Sequence, residues 1–86
     1  NANPTLVRIK ATDKSAKFLR LLPLHASQKE IRCSEGFSIF EYFIAPTFDF
    51  IQESRTHGTD ILVLEPKTLV RIFREEARKA FKMYCK

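Results

Sequence analysis

Two histidines and two cysteines, His25, His57, Cys33 and Cys85, are the side chains of this 86-residue chain best suited to nucleophilic or metal chemistry. A thiolate beside an imidazole base would make a nucleophile, and the four together could offer nitrogen and sulfur ligands to zinc. The spacing favours neither. The thiols are far apart with no Cys-x-x-Cys pair, and the histidines fall in different loops outside any catalytic signature. Such pairings form in space rather than along the chain. The expectation is nonetheless a non-enzyme with no metal and no cofactor, with His57 a helix-end residue before Gly58. The segment Pro23-Leu24-His25-Ala26-Ser27-Gln28 is the other concentration of polar groups. Its plain physical reading is a loop whose His25, Ser27 and Gln28 satisfy nearby backbone groups. Its functional reading joins these three to Arg8 and Lys10 as contacts for an effector, a nucleotide or a nucleic acid.

The elements that would position these groups are legible from periodicity. Leu6 to Ala11 alternates as a first strand, with Val7 and Ile9 on one face and Arg8 and Lys10 on the other. Thr12-Asp13 offers N-cap oxygens to a helix from Lys14 to Leu22, whose Ala16, Leu19 and Leu22 would face the sheet before Pro23 stops it. Gln28 to Cys33 reads as a second strand, Ser34-Glu35-Gly36 as a tight turn, and Phe37 to Ile44 as the third and strongest strand. Ala45-Pro46-Thr47 punctuates, and Thr47 caps a short helix from Phe48 to about Thr56 that ends at His57-Gly58, with Gly58 left-handed.

Ile61 to Leu64 is too short for a helix and reads as a core strand. Pro66 suits the first turn of the long amphipathic helix that follows. In that helix Leu69, Ile72, Phe73, Ala77, Ala80, Phe81 and Tyr84 form an apolar stripe, and Arg71, Arg74, Arg78 and Lys82 lie on the opposite, basic face. The order β-α-β-β-α-β with right-handed crossovers predicts an α+β ferredoxin-like sandwich: four antiparallel strands, two helices on one face, and an additional long C-terminal helix. Strands one and three would be central.

Composition bounds the rest. A chain of this length forms one domain and buries roughly 60–65% of its unfolded surface. It has no apolar run near the ~20 residues needed to span a bilayer. Two unpatterned thiols fit a reducing, cytoplasmic setting. Asn1-Ala2 reads as the scar of a removed expression tag, which leaves residues 3–86 as one domain cut from a longer protein. Residues 1–66 are charge-balanced, so the formal charge of +5 sits entirely in residues 67–86. A basic helix can meet nucleic acid or an acidic partner, but interspersed glutamates make a solvated face the plainer reading.

The third strand is apolar on both faces: Phe37, Ile39 and Phe43 point one way, Phe40, Tyr42 and Ile44 the other. Two helices cover only one face, so aromatics among Phe37, Phe40, Tyr42 and Phe43 are expected on a second face that needs a partner. The stretch Glu35 to Tyr42 can be laid on the third-strand pattern of the RNA recognition motif. Gly36, Phe37 and Tyr42 fit. Glu35 replaces the basic residue that would meet phosphate, and Ile39 replaces a stacking aromatic.

Two segments carry a further resemblance. Pro23, Leu24, His25, Ser27 and Gln28 after a short helix, then Gly58, Val63, Leu64, Pro66 and Leu69 before a helix ending at Tyr84, resemble the C-terminal extension (WCX) of WYL-domain transcriptional regulators of bacteria. The likeness spans Thr5 to Tyr84, with Ala26 where that family often has a second proline. It implies an accessory regulatory and dimerisation module that contributes to effector sensing. In such a regulator the WYL domain and the winged helix-turn-helix lie upstream, and DNA is met only through them. This chain has neither a WYL tripeptide nor a Trp. The resemblance implies a homodimer, and the lack of a long apolar run implies no membrane partner. The alternative is an RRM-like module for single-stranded RNA or a nucleotide.

Overall fold

The computed structural model describes residues 3–45 and 47–84. The expected tag scar at Asn1-Ala2, the punctuation at Pro46 and the thiol of Cys85 fall outside them. Strand β1 (Thr5–Thr12) leads into helix α1 (Asp13–Leu21), then β2 (Lys29–Ser34), β3 (Phe37–Ile44), α2 (Phe48–Arg55), a 3₁₀ turn (Gly58–Asp60), β4 (Ile61–Glu65) and α3 (Lys67–Tyr84). All strand pairs are antiparallel in the order β2-β3-β1-β4, so β1 and β3 are central, as expected. The chain is an α+β protein whose βαββαβ order fits the ferredoxin-like arrangement, with α3 added.

The local signals act as their chemistry requires. Thr12 is extended, and its Oγ1 accepts from the Ser15 N–H at 3.4 Å; Thr47 caps α2 in the same way, accepting from Phe50 N–H at 3.3 Å. Gly36 (φ +92°) and Gly58 (φ +60°) turn the chain where a side chain would strain it. Pro66 precedes α3 rather than entering it, and its carbonyl accepts from both Leu69 and Val70 N–H at 3.0 Å.

Most element boundaries shift by one residue from expectation, and two of the shifts have a visible cause. Strand β2 begins at Lys29 because Gln28 N–H is held in a turn by the His25 carbonyl at 3.0 Å. Leu22 lies past the end of α1 and is 63% exposed, so it does not face the sheet.

The core lies between the sheet and the helices. Val7, Ile9 and Ala11 of β1 meet Phe40, Tyr42 and Ile44 of β3, roofed by Ala16 and Leu19 of α1 and Phe50 of α2, with Val63 and Leu69 closing one end. The Tyr42 and Phe50 rings pack edge to face at 5.3 Å. Among the described residues, every buried side-chain nitrogen or oxygen has a hydrogen-bond partner.

At the β2 edge Arg20 of α1 grips Glu30 through two bonds of 2.9 and 2.7 Å and donates to buried Ser38 at 3.3 Å. Hydrogen bonding from Arg20 holds the Glu30 carboxyl at about 2, well under the usual carboxylate value of about 4.3. A depressed folded-state value means that the pair stabilises the fold above the unfolded carboxylate value, and that this contribution fades as pH falls toward 2. The expected NMR titration midpoint for Glu30 is therefore about 2. It should return to the ordinary carboxylate range in Arg20→Gln, and the stability gap between the two proteins should close on acidification.

Candidate interaction surfaces

Three regions hold the residues singled out from the sequence. In the loop between α1 and β2, the polar groups serve the fold itself. Gln28 Oε1 accepts from Tyr42 hydroxyl at 2.6 Å and from Leu24 N–H at 3.1 Å, while Gln28 Nε2 donates to the Leu19 carbonyl at 2.8 Å. That carbonyl lies in the last turn of α1, where helices leave carbonyls unpaired.

Ser27 Oγ accepts from Phe43 N–H at 3.1 Å, next to the start of β2. Ser27 N–H lies 3.1 Å and its hydroxyl 2.8 Å from His25 Nδ1, which makes Nδ1 the acceptor and leaves the ring proton on Nε2. Gln28 is thus held by the backbone and by Tyr42, and Ser27 by Phe43 N–H and His25. Sequence reasoning missed Tyr42 as a partner of Gln28 because its hydroxyl arrives from a strand fourteen positions away. Burial pushes that phenol well above its usual range.

His57 serves the fold in a similar way. Its Nδ1 lies 2.8 Å from Ser15 Oγ, and Phe18 meets its ring edge to face at 5.7 Å, which ties the end of α2 to α1. Cys33 is an exposed thiol on β2. Among the described residues no three His, Cys, Asp or Glu side chains gather where they could hold a metal ion.

The open face of the sheet is the second region. Alternation along β3 sends Ser38, Phe40, Tyr42 and Ile44 into the core and leaves Phe37, Ile39, Glu41 and Phe43 on the far side. Phe40 and Tyr42 therefore cannot belong to a partner face. Both are fully buried, and the face expected from the aromatics reduces to Phe37 and Phe43. Lys10 Nζ stands 4.6 Å from the Phe37 ring centroid and the Arg32 guanidinium 5.8 Å, so the ring is flanked by cations from both neighbouring strands. Arg8 is bound instead by Glu41 at 2.9 Å and Glu65 at 3.2 Å, and the bond to Glu41 raises its affinity for its proton. No hydrogen bond joins Arg8 or Lys10 to the His25–Gln28 loop among the described residues.

Helix α3 is the third region. Leu69 is buried, and Val70 and Phe73 are half-buried against β4 and the core. Arg55 of α2 anchors the same stretch through Glu76, donating from Nε at 2.9 Å and again from Nη2. Beyond Glu76 the support stops. Ala77, Ala80, Phe81, Met83 and Tyr84 are exposed, with Phe81 at 68% and Tyr84 at 88%. At 100° per residue, Ala77, Ala80 and Tyr84 lie on the same side as Leu69 and Phe73, with Phe81 and Met83 flanking them. The packing face of α3 thus continues outward with none of the described residues covering it. Arg71, Arg74, Arg78 and Lys82 share the other side, all exposed and without an ion pair among the described residues.

Comparison with family models, with curated proteins and with solved structures returns no match. No helix among the described residues is long and apolar enough to cross a membrane.

Proposed function

We propose that this domain is an accessory self-association module of a WYL-type bacterial transcriptional regulator, working in the cytoplasm. Upstream WYL and helix-turn-helix domains would meet DNA and take part in effector sensing. The WYL assignment rests on the sequence resemblance, and the observation that supports self-association is the outer half of α3. Its apolar stripe runs on from the core contacts of Leu69 and Phe73 into exposed Ala77, Ala80, Phe81 and Tyr84. Isolated exposed apolar residues need no explanation, whereas a contiguous stripe on a projecting helix does. The occupant that fits is the same stripe of a second copy. Ala77 and Ala80 leave room between the rings for a facing helix, and two helices related by a two-fold axis present identical patches to each other.

One helix pair buries less than a standard interface, so the isolated domain should dimerise weakly, in the range of about 10 μM to 1 mM. Light scattering across that range tests this. A mass rising from monomer to dimer is expected, as is a monomer throughout for Phe81→Glu, with little change in stability because Phe81 is exposed. Both α3 helices are cationic, so salt should tighten the dimer by screening their repulsion. A strict monomer at all concentrations would defeat the proposal.

A second reading rests on Phe37 and its flanking Lys10 and Arg32: a single-stranded nucleic acid laid on the open face. Glu41 and Glu65 already neutralise Arg8 there, which weakens it. This reading expects binding to short single-stranded RNA that falls steeply as salt rises, the opposite sign to the dimer. Unchanged binding in Phe37→Ala would end it.

A further inference from the structure

A cavity of about 620 Å³ opens between the end of α2, strand β4 and helix α3. Pockets that take small organic ligands span roughly 300–1,000 Å³, so this one has a suitable size. Val63, Val70, Phe73 and Ala77 give it apolar walls. Its charged groups are Arg55, Arg74 and Glu76. Arg55 is engaged by Glu76 and Gln52. Arg74 has no ion-pair partner among the described residues. The space therefore combines an apolar body with one uncommitted cation.

We propose that this cavity binds a medium-chain organic monocarboxylate, with its hydrocarbon between β4 and α3 and its carboxylate on the Arg74 guanidinium. Ser54, Thr59 and the Arg55–Glu76 pair give the cavity a polar rim, while Val63, Val70 and Phe73 offer a nucleotide's ribose hydroxyls no partner. A fatty or arylalkyl carboxylate has the opposite character: it removes apolar surface from water and meets one cation at the mouth. Phe81 and Tyr84 do not line the cavity. Ala77 belongs both to this cavity and to the stripe proposed for self-association, so the site is the monomer's.

The probe is sodium decanoate, titrated below its micelle concentration and followed by ¹H–¹⁵N NMR. Octanoate, decanol and decyltrimethylammonium serve as comparisons. Saturable shifts are expected at Val63, Val70, Phe73 and Ala77, with affinity rising about fourfold for each added methylene from octanoate to decanoate. Decanoate should exceed decanol by up to about fivefold, the range of an exposed ion pair, and decyltrimethylammonium should bind weakest. Arg74→Gln should bring decanoate down to decanol and leave decanol unchanged. Ala77→Trp, at an exposed helical position, should fill the mouth and abolish both. Repeating the titration in Phe81→Glu separates this result from self-association. The proposal is overturned if all three decyl probes bind alike, if the shifts centre on Phe81, Met83 and Tyr84, or if a folded Ala77→Trp still binds decanoate.

Discussion

Phe40→Glu is expected to abolish cooperative folding. Phe40 is fully buried in the centre of the sheet, paired with Ile9 on one side and Glu30 on the other. A carboxylate there would lose its hydration, and nearby Arg20 is already committed to Glu30. A chain of 86 residues has about 4–13 kcal/mol of total stability to set against that cost. The neutral truncation Phe40→Ala should cost about 3–5 kcal/mol through lost burial and the cavity left behind, giving a folded protein with a much lower Tm. Phe43→Glu, three positions along the same strand but 61% exposed, should stay within about 0.5 kcal/mol of the parent. Thermal unfolding followed by circular dichroism reads all three. A cooperative transition for Phe40→Glu near that of Phe43→Glu would mean that β3 presents its other face to the core. The contrast also shows why a charge at Phe40 or Tyr42 would say nothing about a dimer, since the monomer would be lost first.

Gln28→Leu is the second large effect. The substitution keeps much of the side chain's bulk but removes three hydrogen bonds, to Tyr42 hydroxyl, Leu24 N–H and the Leu19 carbonyl. A buried group left without a partner costs about 1–3 kcal/mol, and water can reach only part of this loop. A total loss of about 2–4 kcal/mol is expected, which for a domain of this size lowers the Tm by roughly 10–20 °C. Tyr42→Phe alone should cost about 1 kcal/mol, because Gln28 retains its two backbone bonds. In the double variant the losses should fall short of the sum by about 1 kcal/mol, the signature of direct coupling. Additive losses would show that the Tyr42 bond contributes nothing. Ala26→Pro in the same loop touches none of these bonds.

Each of these expectations concerns a residue that looked different in the sequence. Ser27 and Gln28 read on physical grounds as a loop satisfying itself, with effector contact as the functional reading beside it. The deciding groups, the Leu19 carbonyl and the Tyr42 hydroxyl, reach the loop only after α1 and β3 have packed. The basic face of α3 was legible because Arg71, Arg74, Arg78 and Lys82 follow helical spacing, a property of the chain alone. The cavity beside Arg74 was not, since its walls come from three elements that meet only in the folded domain.

The division between sequence and tertiary structure follows the range of the forces involved. Thr12 and Thr47 as caps, Gly36 and Gly58 as turns, the alternation of β1 and β3, and the helical stripe of α3 are interactions within a few residues. The sequence determined them, and with them the βαββαβ order and the antiparallel sheet. Tertiary structure alone decided which apolar side of β3 faces the helices. Phe37, Ile39 and Phe43 are as hydrophobic as Phe40, Tyr42 and Ile44, so alternation separates the two sets without ranking them. It likewise decided where the body of the domain ends beneath α3. Periodicity marks the stripe from Leu69 to Tyr84 as one surface, but only the placement of β4 and α2 leaves Phe73 covered and Phe81 bare.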